Sequence, residues 1–215
     1  MTGVVGYCFV MLSVDGSAKI KSLNGSGKSS ENASSKELRE KGFNAIRAEM
    51  PDSVTIPGSV AAWSLLHKDH GYMPWKEIFE PAIEYAKSGI LVHERVAKDW
   101  SKNVQKLKKD KDTSKLFLRN GNGYKVTDKF VNLGLAKVFE TISYEGQRGF
   151  YQGWISKDMH EKLLSVGGNH TLNDCKNTDA QWVDPSVGNY RNINIHECPP
   201  NGQGVVAIII LLIVE

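Results

Sequence analysis

The sequence predicts an α+β fold in which helices dominate and a few strands lie towards the two ends of the chain. Two apolar segments flank residues 15–17 (DGS), and Asp-Gly between apolar runs is a strong β-hairpin signal. Between the ends, successive segments carry apolar residues at helical spacing. Residues 190–197 (YRNINIHE) alternate between apolar and polar side chains, which indicates a strand.

The first elements follow from local signals. Residues 4–23 predict the hairpin, and a glycine-rich loop comes next. Ser34 with Glu37 makes a capping-box pattern, which predicts that a helix begins there. Pro57 suits the first turn of the following helix, and Gly71 suits its C-terminal cap.

The middle of the chain predicts further helices. Residues 73–89 predict a broken helical pair, because a proline inside a helix removes a backbone hydrogen bond, and the second piece is expected to begin at Pro81. Its apolar residues share one helical face: Trp75, Ile78, Phe79, Ala82, Ile83 and Ala86. Further helices are expected over residues 92–107, within 125–145 with Asp128 as the cap, and over 154–168. Residues 205–214 predict the beginning of a buried helix.

Composition narrows the function classes. The 215 residues suffice for one ordinary domain, and we expect residues 1–215 to form a single partial domain. Lys and Arg exceed Asp and Glu by 27 to 24, an imbalance too small to predict a nucleic-acid partner. The spacing of the three cysteines and six histidines fits no metal site, and we predict no metal and no cofactor.

The ends of the chain suggest a fragment. The first residues lack the basic region and cleavage site of a signal peptide, and the compartment stays open. The apolar run 205–214 is shorter than the about 20 residues that cross a bilayer, so no membrane span is predicted. Because this run meets no stop signal, we expect the chain to be truncated at both ends.

Residues 23–30 (LNGSGKSS) are similar to a phosphate-binding loop, which would make the chain a nucleotide-binding module. Three features argue against it. Ser22 stands where the pattern needs its first glycine, the preceding strand alternates as a half-exposed strand does, and the following residues are polar and turn-like. We read LSVGG (residues 164–168) as a helix end, although such ATPases carry a similar loop.

Ordered blocks along the chain resemble the gamma-glutamyltransferase (gamma-glutamyltranspeptidase, glutathione hydrolase) family. The most specific blocks are PGSVAAW (residues 57–63), MPWKEIFEPAIEYAKSG (residues 73–89) and WVDP…YRNINIHECPPNGQG (residues 182–204). The resemblance is collinear and extends from Gly3 to Glu215. Several blocks in the same order would rarely arise by chance.

The resemblance implies a fold and a mechanism. Members are N-terminal nucleophile (Ntn) hydrolases with a four-layer αββα fold, made as one precursor that cleaves itself into a large and a small subunit. The N-terminal threonine of the small subunit attacks the gamma-glutamyl amide, with its own amino group as general base. This chain resembles the helix-rich large subunit and has no Thr-Thr-x-x-Ser-Val motif. We therefore expect no catalytic residue here and a missing small subunit as partner.

The same resemblance assigns the glycine loop to substrate binding. The family's NGSGR block carries an arginine that clamps the α-carboxylate of the gamma-glutamyl group, and Lys28 stands at that position. Gly25 and Gly27 are expected to let the backbone turn and present residue 28. A lysine keeps the charge but loses the paired donors of a guanidinium, so weaker or altered binding is expected.

Departures from the family pattern leave a second alternative open. The opening block reads GVVGYCF (residues 3–9) where the family is usually rich in glycine, with Val5 and Tyr7 in place of small and acidic residues. Such changes suit a degenerate, non-catalytic remnant as well as a diverged enzyme. The alternatives are therefore this remnant and the nucleotide-binding module.

Overall fold

The computed structural model describes residues 3–215. By their contacts the residues divide into two compact units. The first comprises Met1–Tyr72 and Glu145–Glu215, and the second comprises Met73–Tyr144. The single partial domain stays a prediction, and each unit is described by itself.

The secondary structure mixes helices and short strands. The strands are β1 (Cys8–Ser13), β2 (Ile20–Gly25), β3 (Ile90–Leu91), β4 (Leu118–Arg119), β5 (Asn122–Gly123), β6 (Lys129–Phe130), β7 (Gln181–Val183), β8 (Ser186–Tyr190) and β9 (Ile193–Glu197). The helices are α1 (Ser35–Glu40), α2 (Ser59–His70), α3 (Trp75–Ser88), α4 (Glu94–Leu107), α5 (Lys111–Phe117), α6 (Leu133–Tyr151), α7 (Trp154–Ser165), α8 (Leu172–Lys176) and α9 (Gly204–Val214).

The sheet of the first unit is built on the predicted hairpin. Strands β1 and β2 pair antiparallel, and β7 adds to the other edge of β2 in the order β1-β2-β7. Asp15 and Gly16 both have positive φ angles at the turn (52° and 68°), as an Asp-Gly hairpin turn requires. The predicted hairpin is therefore confirmed.

Helix α2 packs against this sheet. Its first turns are buried, with Val60 and Ala62 fully excluded from solvent, and Leu23 of β2 is equally buried. Gly58 is the N-cap of the helix, and Gly71 is the predicted C-terminal cap. The small side chains at the start of α2 let the helix approach β2, which brings residues 56–58 next to the end of that strand.

The hydroxyl of Tyr151 ties the start of α2 to the end of α6. It donates to the carbonyl of Pro57 (2.7 Å) and accepts from the N–H of Ala61 (3.1 Å). Burial raises the pKa of Tyr151, so the hydroxyl keeps its proton and can donate. The start of α2 is thereby fixed by a buried side chain.

The C-terminal residues of the first unit form the hairpin of β8 and β9 and the helix α9. Strand β9 confirms residues 193–197 of the predicted strand, whereas Tyr190 ends β8 and Arg191 and Asn192 form the turn with positive φ angles. Gly188 of β8 packs directly on Ile208 of α9. The helix is confirmed, but the prediction that it is buried was wrong. Only one side packs on β8, so that Ile208 is buried whereas Ile210 and Ile213 are exposed.

The second unit is organised around aromatic side chains. Trp100 of α4 lies 5.1 Å from both Tyr124 and Phe130, measured between ring centroids, and 6.0 Å from Phe117. In α3 the rings of Trp75 and Phe79 lie 4.9 Å apart. Trp75, Phe79 and Trp100 thus each contact other aromatic rings.

Two predicted helix boundaries in this unit were wrong. Helix α3 is continuous through Pro81, because Phe79 and Ala86 are buried on one face while Pro81 is exposed on the other. Helix α6 begins at Leu133, so Asp128 is not its cap; Asp128 instead accepts from the N–H of Lys125 (2.8 Å) in a turn.

Candidate functional site

The glycine loop of residues 24–28 continues directly from the end of β2. Residues 26–30 belong to neither a helix nor a strand, and the next helix, α1, begins only at Ser35. The side chain of Lys28 is exposed, while its carbonyl accepts a hydrogen bond from the N–H of Ile56 (2.8 Å). The loop therefore presents Lys28 to solvent from a backbone that is held in place.

Both glycines of the loop are required by close backbone packing. Gly27 has a φ of +74°, and a Cβ there would overlap the carbonyl oxygen of Ile56. Gly25 lies against Gly58 so closely that a Cβ on either residue would press on the other's backbone. Only glycine suits both positions, because a Cβ at either residue would press on the backbone of residues 56–58, and Gly27 also has a positive φ.

A ring of hydrogen bonds joins the loop to Asn201. The side-chain amide of Asn201 donates to the hydroxyl of Ser26 (2.7 Å) and accepts from the amide of Asn24 (3.4 Å). The N–H of Ser26 donates to the side-chain oxygen of Asn24 (3.0 Å). Sequence reasoning missed this cluster, because 175 residues separate Ser26 from Asn201.

The segment that follows Lys28 is anchored to the start of α8. The hydroxyl of Ser30 donates to the carbonyl of Asn169 (3.0 Å), and Asn169 in turn donates to the carbonyl of Asn32 (2.7 Å). The N–H of Glu31 donates to the carboxylate of Asp174 (3.0 Å). Lys28 thus lies between two segments that long-range hydrogen bonds hold.

Asp174 is the charged member of this anchor. It forms a capping box with Thr171 at the start of α8. Burial opposes its ionisation, but the backbone N–H groups of Glu31 and Thr171 and the Thr171 hydroxyl donate to it. Their combined effect is larger, so the pKa of Asp174 lies below its usual value.

A cavity of about 230 Å³ opens beside the loop. Its lining combines aromatic and polar residues, namely Tyr7, Phe9, Ser26, Gly27, Thr55, Asn201 and Gly202. Tyr7 is one of the residues that depart from the family pattern in the opening block. The cavity is large enough for a small polar molecule or part of one.

The geometry does not support the nucleotide-binding alternative. A phosphate loop runs from a buried strand directly into a helix, whose N-terminal N–H groups hold the phosphates. Here β2 lies in an antiparallel sheet and α1 starts ten residues after it. The glycine at residue 167 follows the end of α7 with a φ of +86°, as the helix-end interpretation predicts.

The remaining chemistry of the described residues is sparse. Cys198 accepts a hydrogen bond from Ser22 (3.0 Å), as suits a structural role. Within residues 3–215, no group of three or more His, Cys, Asp or Glu side chains is placed to hold a metal ion. Among the helices of the same range, none is long and apolar enough to cross a membrane.

Comparison with known proteins decides the family. The family model described as gamma-glutamyltranspeptidase matches residues 1–215. The chain belongs to the gamma-glutamyltranspeptidase family. Among curated relatives in this family, the glutathione hydrolase-like YwrD proenzyme of Bacillus subtilis is 28% identical over 215 residues, which is 100% of this chain and 41% of that protein.

Solved structures confirm the fold of this gamma-glutamyltranspeptidase family member. The cephalosporin acylase of Bacillus halodurans superposes with a TM-score of 0.91 at 29% identity, covering 99% of this chain and 40% of that one. The gamma-glutamyltranspeptidase of Helicobacter pylori gives a TM-score of 0.86 at 24% identity, covering 94% of this chain and 58% of that one. The predicted fold class, an α+β part of the Ntn-hydrolase fold, is therefore confirmed. The chain spans about two fifths of the length of the Bacillus relative.

Proposed function

We propose that residues 1–215 supply the part of a gamma-glutamyltransferase or glutathione hydrolase that binds the gamma-glutamyl group, with Lys28 contacting its α-carboxylate. The observation that carries the proposal is the exposed ammonium of Lys28 on a loop whose backbone is held at Gly27 and Ile56. Among residues 3–215, no carboxylate lies within ion-pair distance of this ammonium. Its charge is therefore available to an anionic group of a ligand.

The chemistry of binding follows from the charge at residue 28. An ammonium binds a carboxylate as a point charge, whereas a guanidinium donates two parallel hydrogen bonds. Lys28 therefore gives weaker and less directional binding than the arginine that the family pattern carries. Gly25 and Gly27 contribute by shaping the loop, and they make no contact through side chains of their own.

The bond-breaking residues of this proposal lie outside the chain. A threonine at the N-terminus of a small subunit attacks the gamma-glutamyl carbonyl, and its free amine takes the hydroxyl proton. Backbone N–H groups stabilise the oxyanion, and water or an amino acid then receives the acyl group. The Bacillus subtilis and Escherichia coli relatives are named proenzymes, which agrees with a processed precursor as the source of this partner.

Restoring arginine tests the role of Lys28. In the protein expressed from its full reading frame, Lys28→Arg is expected to lower the KM for a gamma-glutamyl anilide about threefold to tenfold, because a second hydrogen bond forms. The control is Lys36→Arg, the same exchange at an exposed residue of α1. An unchanged KM in Lys28→Arg would remove the carboxylate role.

A non-catalytic remnant remains the second candidate, favoured by Val5 and Tyr7 in the opening block. Sequencing the transcript on both sides of the codons for residues 1–215 distinguishes the remnant from the enzyme. An open frame that continues to a Thr-Thr-x-x-Ser-Val motif supports the enzyme. A stop codon directly after Glu215, with no separate chain that carries this motif, supports the remnant.

A further inference from the structure

The loop that carries Lys28 is fixed by two different kinds of contact. The backbone of Ile56 and Gly58 packs against Gly27 and Gly25. The side chain of Asn201 contacts the loop by a hydrogen bond to Ser26 (2.7 Å). Backbone packing therefore acts on the two glycines, and side-chain hydrogen bonding acts on the serine between them.

Ser26 is the residue that most needs such a restraint. It lies between Gly25 and Gly27, and glycine leaves the backbone more conformations than any other residue. Its N–H is already bound to the side chain of Asn24, which itself donates to Asn201. Asn201 thus holds both ends of the turn, and it does so from the segment between β9 and α9.

We propose that Asn201 is a positioning residue for Lys28, which sets the affinity for the gamma-glutamyl group through Ser26 without contacting that group itself. The inference rests on the proposed function of Lys28. Asn201 is neutral, so it affects the position of the Lys28 ammonium and not its charge. Because its side chain is exposed, its hydrogen bonds contribute little to overall stability.

The test is the steady-state kinetics of the protein expressed from its full reading frame, with a gamma-glutamyl anilide as substrate. Asn201→Ala is expected to raise KM about threefold to tenfold and to change kcat by less than about twofold, because only ground-state positioning is lost. Ser26→Ala removes the same hydrogen bond and should have a similar effect. The double variant should be no worse than the more affected single variant, because both act through one contact.

The matched control is Asn194→Ala. Asn194 is also an exposed asparagine of the first unit, and its side chain accepts a hydrogen bond from Asn189 (3.0 Å) on the β8–β9 hairpin. The Asn194→Ala variant should leave KM unchanged, and its midpoint of thermal unfolding should match that of Asn201→Ala. An unchanged KM in Asn201→Ala, or additive effects in the double variant, would overturn the inference while the role of Lys28 stands. A parent protein that neither binds L-glutamate nor cleaves the anilide would overturn the proposed function as well.

Discussion

Gly27 meets Ile56 backbone to backbone: the Cα of the glycine faces the carbonyl oxygen of Ile56 with no room for a Cβ between them. One residue further on, the N–H of Ile56 donates to the carbonyl of Lys28 (2.8 Å). The two contacts fix the direction in which the chain leaves the loop. The place of the Lys28 side chain therefore depends on the absence of a side chain at residue 27.

A methyl group at residue 27 should disrupt this contact. Gly27→Ala is expected to lower the free energy of unfolding by at least about 3 kcal/mol, because the new Cβ overlaps the Ile56 backbone and the φ angle of +74° disfavours alanine. Urea denaturation of the full-frame protein measures the change.

Gly42→Ala is the matched control for that substitution. Gly42 also has a positive φ (+84°), but nothing lies within 4 Å of the position that its Cβ would take. Its cost should be about 1–2 kcal/mol, from backbone strain alone. Equal costs at residues 27 and 42 would show that the contact with Ile56 does not restrict the loop.

The buried hydroxyl of Tyr151 should contribute more to the free energy of unfolding than the hydroxyl of an exposed tyrosine does. Tyr151→Phe leaves the N–H of Ala61 and the carbonyl of Pro57 without their partner, at an expected cost of about 1–3 kcal/mol. Tyr72→Phe makes the same change at a fully exposed residue and should stay within about 0.5 kcal/mol. Thermal unfolding compares the two, and similar losses would contradict the buried tie.

Asp174 should make the free energy of unfolding depend on pH in the acidic range. Its pKa is lowered in the folded protein, so its ionised form stabilises the fold above the unfolded-state value of about 3.9. That contribution is lost as the pH falls through the folded-state pKa. Asp174→Asn should therefore cost about 1–3 kcal/mol at pH 7 and progressively less below pH about 3.9.

Asp158→Asn, at an exposed residue of α7, controls for the loss of an acidic side chain. It should change the free energy of unfolding at pH 7 by less than about 0.5 kcal/mol. Urea denaturation at several pH values measures both variants. A cost for Asp174→Asn that does not vary with pH would show that the charge of Asp174 does not stabilise the fold.

Features that depend on neighbouring residues were predictable from the sequence. The Asp15-Gly16 turn and the helix start at Ser34 each need only a few consecutive residues, and both are confirmed. The helix break predicted at Pro81 was wrong, because burial of one face of α3 outweighs the local effect of the proline. Local chemistry predicts an element, but tertiary packing decides where that element ends.

The candidate site shows the same division. Gly25, Gly27 and Lys28 are neighbours in the sequence, and the family resemblance could draw attention to them together. Asn201 could not be found in this way, since no spacing rule joins it to Ser26 across 175 residues. Only the fold brings residues 24–28, 56–58 and 201 together.

The proposed contact between Lys28 and the α-carboxylate of a gamma-glutamyl group can be tested by removing either partner. In the full-frame protein, kcat/KM is measured for a gamma-glutamyl anilide and for the 4-aminobutyryl anilide that lacks the carboxylate, with Lys28 and with Lys28→Met. We predict that Lys28→Met lowers kcat/KM at least about tenfold for the first substrate and less than about twofold for the second. Equal losses for both substrates would contradict it.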